Sequence, residues 1–451
     1  MVEKIREILS EFIVRTKYEE LPERVVHQTK RCLLDFMGMA IGGSKIGLSP
    51  IIADLMFRQG GIEEATIIGD GRKLPVLNAA LLNGIQGHVL DMDDGHRFAN
   101  AHPGVAIMAA ALAIAERENA TGKQLIEAIV TGYEIFIRIA RAINPSHLGR
   151  GFHTTGNVGP FGAAAACSKL LKLSPSQTAD ALSIAGLQGA GLLEVTASGA
   201  MIKPLHPGKG CQAGILAALL AKAGAEGPQE IFEGHKGFLN AYSDIQAGST
   251  VIDGLGQSYE ILNVYFKFHA ACRHVHAPLD AVREIMNARQ LNIDEIERID
   301  VHTYQVTINL TGGIPTATTG IKAKFNLPIS IGLMLVNGRA GLDIYADEKV
   351  NDPRVQKLAA KVNIHLDQEM EDEYPKRRRG RVLIQTKDDL ITSEIEFAKG
   401  EPENPPSDDE LKHKFYAAAL IILDEEKMRS LADDIFTIEE KEIKEMMSAC
   451  F

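Results

Sequence analysis

The chain is poor in cysteine, and the five it has (Cys32, Cys167, Cys211, Cys272 and Cys450, in 451 residues) lie far apart with no Cys-x-x-Cys pair. This argues against a zinc knuckle or a thiolate-held iron–sulfur cluster and fits reduced thiols in a cytoplasmic enzyme. Apolar runs of the roughly 18 residues that a membrane helix needs are also missing. Met1 to Arg15 carries Glu3, Lys4, Arg6, Glu7 and Glu11 among its apolar positions. No apolar core for a signal peptide remains, and export is not expected. A basic surplus is absent too: the formal net charge is −11, so nucleic acid is not an expected partner, and an anionic substrate would require a locally positive pocket. There is no internal repeat and no low-complexity tract.

What is present is a chain with 45% hydrophobic residues, long enough for two compact units. From Leu21 to about Ala225, apolar residues recur every three or four positions between Gly and Pro breaks, which predicts an all-helical half. Expected helices are Glu23 to Ile41, Val105 to Glu118, Gln124 to Ile143, Phe161 to Leu171 and Pro175 to Ala185. Ser174 is the expected N-cap of the last, with Pro175 as its first helical residue. Near Tyr259 the pattern changes. Ile261 to Tyr265 reads as a strand, Ala277 to Arg289 as a helix, Ile296 to Val306 as a strand, and Arg381 to Ala398 as two strands around Asp388-Asp389. Glu401 to Asp409 reads as a solvated connector, after which Asp408 to Leu423 and Thr437 to Met447 return to helical spacing. The expected division is a discontinuous helical domain, 1–265 with 400–451, and a mixed α+β domain over 266–399.

Four segments concentrate polar chemistry. His88 to His96, continuing to His102-Pro103-Gly104, gathers histidines and the aspartates Asp91, Asp93 and Asp94 ahead of an apolar helix. Such groups can serve as acid, base or substrate-orienting residues; taken singly, each aspartate could equally cap a helix or face water. Arg150 to Gly156 places His153 and Thr154 ahead of a helix expected to begin near Gly159, with loop amides able to cradle a carboxylate. Met201 to Gly210 sets Lys203, His206 and Lys209 among prolines that stiffen the segment. Lys267 to His276 holds Arg273, whose planar fork suits a carboxylate. Cys272 reads there as a packed thiol. His274 and His276, two apart and without a third partner nearby in sequence, are a weak metal pattern.

Taken together, the His88–Gly104 segment with its Asp-x-Asp-Asp core, Gly151-Phe-His-Thr-Thr-Gly156, Lys203-Pro-Leu-His206 and Cys272-Arg-x-x-His276 resemble the MmgE/PrpD family in order and spacing across nearly the whole chain. The resemblance implies a mainly α protein: an all-helical domain completed by the C-terminal helices, plus a smaller α+β lid, in a homodimer with the pocket between domains. It implies a cofactor-independent, metal-free enzyme that makes or protonates a carbanion beside a carboxylate of a small di- or tricarboxylic acid. Carried over, Asp91, His102, His153, Lys203 and His276 would be catalytic, and Asp94, His96, Thr154, His206, Lys209 and Arg273 would bind substrate. The family's dehydratase and decarboxylase branches often carry Thr after the Asp-Asp pair, where this chain has Gly95. The leading expectation is a lyase, a dehydratase or decarboxylase. An epimerase of a dicarboxylate needs nearly the same residues. Two further classes are a metal-dependent hydrolase built on Asp91, Asp93 and Asp94, and a carboxylate-binding protein without catalysis.

Overall fold

A computed structural model describes residues 4–245, 248–313 and 318–451; Met1 to Glu3, part of the N-terminal reading, lie outside them. The protein is mainly α-helical and divides into two compact units. Unit 1 comprises Met1–Thr196, Met201–Val264 and Ser407–Phe451, and unit 2 Ala197–Ala200 and Tyr265–Pro406. Among the described residues no helix is long and apolar enough to cross a membrane.

Unit 1 is built around α1 (Glu23–Gly43), α2 (Val76–Val89), α3 (Pro103–Arg117), α4 (Gly122–Ile143), α5 (Thr154–Leu170), α6 (Pro175–Gly186) and α7 (Leu205–Lys222). Their spans follow from ordinary signals. Thr121 and Ser174 begin α4 and α6 with capping boxes closed by Gln124 and Gln177, which satisfy amides that no helical carbonyl reaches. Two helices start earlier than their spacing predicts. Helix α5 begins at Thr154 and carries Pro160 inside it, and α7 begins at Leu205. Gly156 in the first turn of α5 and Pro207 and Gly208 in that of α7 look like loop in sequence, yet Pro207 is tolerated there because first-turn amides have no helical acceptor anyway.

Small residues decide how closely α5 and α7 pack. Ala163 to Ala166 are fully buried, and a Cβ built on Gly214 of α7 would fall 2.4 Å from the Cβ of Ala163 in α5. Only glycine fits at that approach. The two helix N-termini are thereby held side by side, which matters below because each carries a histidine. The C-terminal helices Asp408–Ala419 and Glu425–Phe436 pack on α1, the second of them within a stretch that spacing alone left unassigned.

Unit 2 has a four-stranded sheet of β1 (Ile296–Thr303), β2 (Val362–Leu366), β3 (Gly380–Thr386) and β4 (Leu390–Ile395), in the order β2-β1-β3-β4. The β3–β4 hairpin turns at Asp388-Asp389, and β2 pairs parallel to β1. Helix α8 (His276–Ala288) packs on β3 and β4. Two local expectations change. Ile261 to Tyr265 is a 3-10 turn followed by a two-residue strand, since its apolar side chains report burial rather than a ladder. Glu401, expected in a solvated connector, is 2% exposed and accepts from the Arg273 guanidinium.

Candidate active site

In unit 1 the ends of four helices converge. His88 lies in the last turn of α2, His102 and His153 are the N-cap residues of α3 and α5, and His206 lies in the first turn of α7. Ring centroids are 5.2 Å apart for His88 and His102, 6.3 Å for His88 and His153, and 5.1 Å for His153 and His206. Lys203, just ahead of α7, places its ammonium 3.2 Å from Asp91 Oδ1. The group mixes neutral bases with a cation, the ingredients for moving a proton beside a bound carboxylate.

The loop between α2 and α3 aims these side chains. Asp91 adopts a left-handed conformation (φ 56°), which aspartate tolerates better than most residues, and the chain turns there so that the carboxylate meets Lys203. Asp93 Oδ2 accepts from His88 Nδ1 at 2.8 Å and lies 3.5 Å from His102 Nδ1. His102 Nδ1 donates to the backbone carbonyl of Asp94 at 2.6 Å, which fixes the tautomer and leaves Nε2 as the basic atom. Asp94 itself faces away. Its carboxyl accepts from Tyr133 Oη at 2.6 Å and from the Gly104 amide at 3.0 Å, so it serves as the cap that α3 otherwise lacks. A Cβ on Gly104 would sit 2.7 Å from Asp94 Oδ1, so glycine there is a steric condition for that cap. Burial pushes the Asp94 carboxyl up to about 8.

His153 and His206 face each other through their Nδ1 atoms at 2.9 Å, so one of the two donates. Burial, then the Lys203 ammonium, holds His153 well below the ordinary histidine range, and burial lowers His206 as well. Two neutral rings beside a cation result. Other sequence candidates lie elsewhere. His96 Nδ1 accepts from the Ala99 amide, and its Nε2 is 3.5 Å from Glu260. The Thr154 hydroxyl is fully buried and accepts from Asn144. Lys209 is exposed and donates to Gln212. The three aspartates serve Lys203, His88 and Tyr133 separately, and among the described residues no three His, Cys, Asp or Glu side chains gather as metal ligands would.

Unit 2 has its own polar group. Arg273 binds Glu401 Oε1 through Nε and Nη2 at 3.1 and 2.8 Å and gives Nη1 to His276 Nδ1 at 3.0 Å. His276, fully buried, donates Nε2 to the carbonyl of Ala271 at 3.2 Å. Burial and the guanidinium keep it well below the ordinary histidine range. His269 pairs with Asp280 at 2.9 Å and His274 with Tyr304 Oη at 2.7 Å. Cys272 is buried.

Family models for the MmgE/PrpD N-terminal and C-terminal domains match residues 7–249 and 269–438. The chain belongs to the MmgE/PrpD family. Among its relatives is the cis-aconitate decarboxylase of Aspergillus terreus, 27% identical over 440 residues, covering 92% of this chain and 89% of that protein. The cis-aconitate decarboxylase-like protein oryM of Aspergillus oryzae is 26% identical, covering 96% and 94%. The Homo sapiens cis-aconitate decarboxylase is 27% identical, covering 98% and 93%.

Within this MmgE/PrpD chain, sequence reasoning passed over several residues that shape the group. His88 and Asp93 were visible as members of the polar segment, but nothing in their spacing said that one would pin the other. Tyr133, 39 residues from Asp94, gave no signal. Lys414 gave none either, although it pairs with buried Asp35 and donates to the carbonyl of Met92 at 2.7 Å, holding the α2–α3 loop from beneath.

Proposed function

We propose that this protein is a cofactor-independent carboxy-lyase acting on a small tricarboxylic acid, cis-aconitate or a close analogue. The reading is carried by the convergence of Lys203 with the imidazoles of His102 and His153 at helix ends, in a chain whose relatives over nearly its whole length are cis-aconitate decarboxylases. The amino termini of α3 and α5 favour an anion, and Lys203 adds a full positive charge. A carboxylate held there loses CO2 when its C–C bond breaks. The electron pair passes into the remaining unsaturated acid, where Lys203 offsets the developing charge. A proton from an imidazolium N–H then forms the new C–H bond, with Asp91 fixing the ammonium and Asp94 the His102 tautomer. Arg273 is assigned to substrate binding and His276 to catalysis, and the protein to a cytoplasmic homodimer. Support for that wider arrangement is the family membership.

A second reading, epimerisation of a dicarboxylate, is favoured by Gly95, which stands where dehydratase and decarboxylase branches often carry Thr. Product analysis separates the two. The protein is incubated with cis-aconitate, methylcitrate, citrate and aspartate-type dicarboxylates, and products are followed by NMR with CO2 release measured in parallel. The expected result is CO2 from cis-aconitate and none with Lys203→Ala. A dicarboxylate that inverts without losing CO2, with no tricarboxylate consumed, would replace this reading by the second.

A further inference from the structure

The proposed chemistry consumes one proton at carbon in each turnover, yet most imidazoles of the group are poor places to keep one. His102 and His153 stand at helix amino termini, where the helix dipole opposes a cation. His153 and His206 share a proton between their Nδ1 atoms with the Lys203 ammonium nearby, and burial disfavours charge on both.

His88 is placed differently. It stands in the last turn of α2, where the dipole favours a cation. Asp93 Oδ2 lies 2.8 Å from its Nδ1, against 3.5 Å from His102 Nδ1. That contact commits Nδ1 to donating and leaves Nε2 as the atom that gains or loses a proton. The ring is 1% exposed, and Nε2 has no hydrogen-bond partner among the described residues. A polar atom buried in this way is costly to leave unpaired, and a fold retains one where a ligand or a transferred proton completes it. Nε2 belongs to a ring flanked by those of His102 and His153. The charged groups around it are Asp93, Asp91 with Lys203, the imidazoles of His102, His153 and His206, and, behind Asp93, the Asp35–Lys414 pair.

We propose that His88 is the proton-holding residue of this site: paired with Asp93, it carries the proton on Nε2 and passes it to the neighbouring imidazoles that face substrate. This rests on the carboxy-lyase reading. In each turnover the His88 imidazolium gives up the Nε2 proton, keeps Nδ1–H on Asp93, and is recharged from water; the proton ends on the carbon that carries the electron pair left behind by CO2. His88 is thus a positioning and relay residue acting through His102 and His153.

The test titrates the full chain, labelled with 15N-histidine, by NMR from pH 5 to 9. His88→Gln assigns the resonance, and Asp93→Asn serves as the second variant. The His88 ring is expected to bind its second proton at least about tenfold more tightly within the titrated range in wild type than in Asp93→Asn. On cis-aconitate, wild-type kcat declines with rising pH through the same range. His88→Gln is slower by about 100-fold, the lower end of what a positioned proton carrier contributes, and lacks that limb. A His88 ring neutral from pH 5 to 8, or a His88→Gln enzyme keeping the limb, would overturn the proposal. If wild type consumes no tricarboxylate, the carboxy-lyase reading fails while the titration alone still decides where the proton sits.

Discussion

The two histidine-rich groups of this protein look alike in sequence and differ in how far their hydrogen bonds are closed. In unit 2, His276 commits both ring nitrogens, one to Arg273 and one to the Ala271 carbonyl, and Arg273 spends its fork on Glu401. In unit 1, His88 leaves a buried nitrogen unpartnered and His153 shares its Nδ1 with another imidazole. A closed network holds a chain segment in place, whereas an open one keeps atoms available for a ligand. Density of histidine in a motif does not distinguish the two; the partners do.

The largest expected effect breaks the open group. Lys203→Ala, His102→Gln and His153→Asn each lower kcat on cis-aconitate by about 10³-fold, within the range of a lost charge stabiliser or proton carrier, while Tm stays within about 3 °C of wild type. Next comes the closed group. His276→Leu strips an acceptor from Arg273 and a donor from Ala271, costing about 2–4 kcal/mol, so Tm falls by roughly 5 °C or more with a smaller loss of kcat, about tenfold. Thermal unfolding and steady-state kinetics on the same preparations separate the two behaviours, and equal Tm losses in both groups would erase the comparison.

Subtler is Asp94, which belongs to the open group's support. Burial raises its carboxyl to about 8, so the folded protein holds a proton there that the unfolded chain releases near the ordinary carboxylate value of about 4. Its contribution to stability is complete below that value and is lost as pH rises towards 8. Tm should therefore fall between pH 5 and 8 and fall less steeply in Asp94→Asn. The smallest effect belongs to Lys209, exposed and turned to Gln212: Lys209→Ala should leave kcat/KM within about twofold and stability within about 0.5 kcal/mol.

Much of this arrangement could be read from the residues, and what could not has physical causes. Helices α1, α3, α4 and α6 followed from three- and four-residue spacing with Ser174 as a cap, and the β3–β4 hairpin from alternation around Asp388-Asp389. Helices α5 and α7 start before their apolar spacing does, because Gly and Pro in the first turn carry no periodic signal. His96 and Thr154 have the right chemistry but face Glu260 and Asn144; orientation over a two- or three-residue stretch is set by tertiary partners. Tyr133 and Lys414 reach the α2–α3 loop from distant helices, and one sequence offers no means of pairing them with it.

Running the cis-aconitate reaction in deuterium oxide and locating the isotope in the product by NMR shows whether the unit 1 imidazoles deliver a solvent-derived proton to the carbanion left by CO2. One deuterium at the newly formed C–H bond and unreacted substrate free of label are the expected result. A product without deuterium, or substrate that exchanges its hydrogens before any CO2 appears, would contradict it.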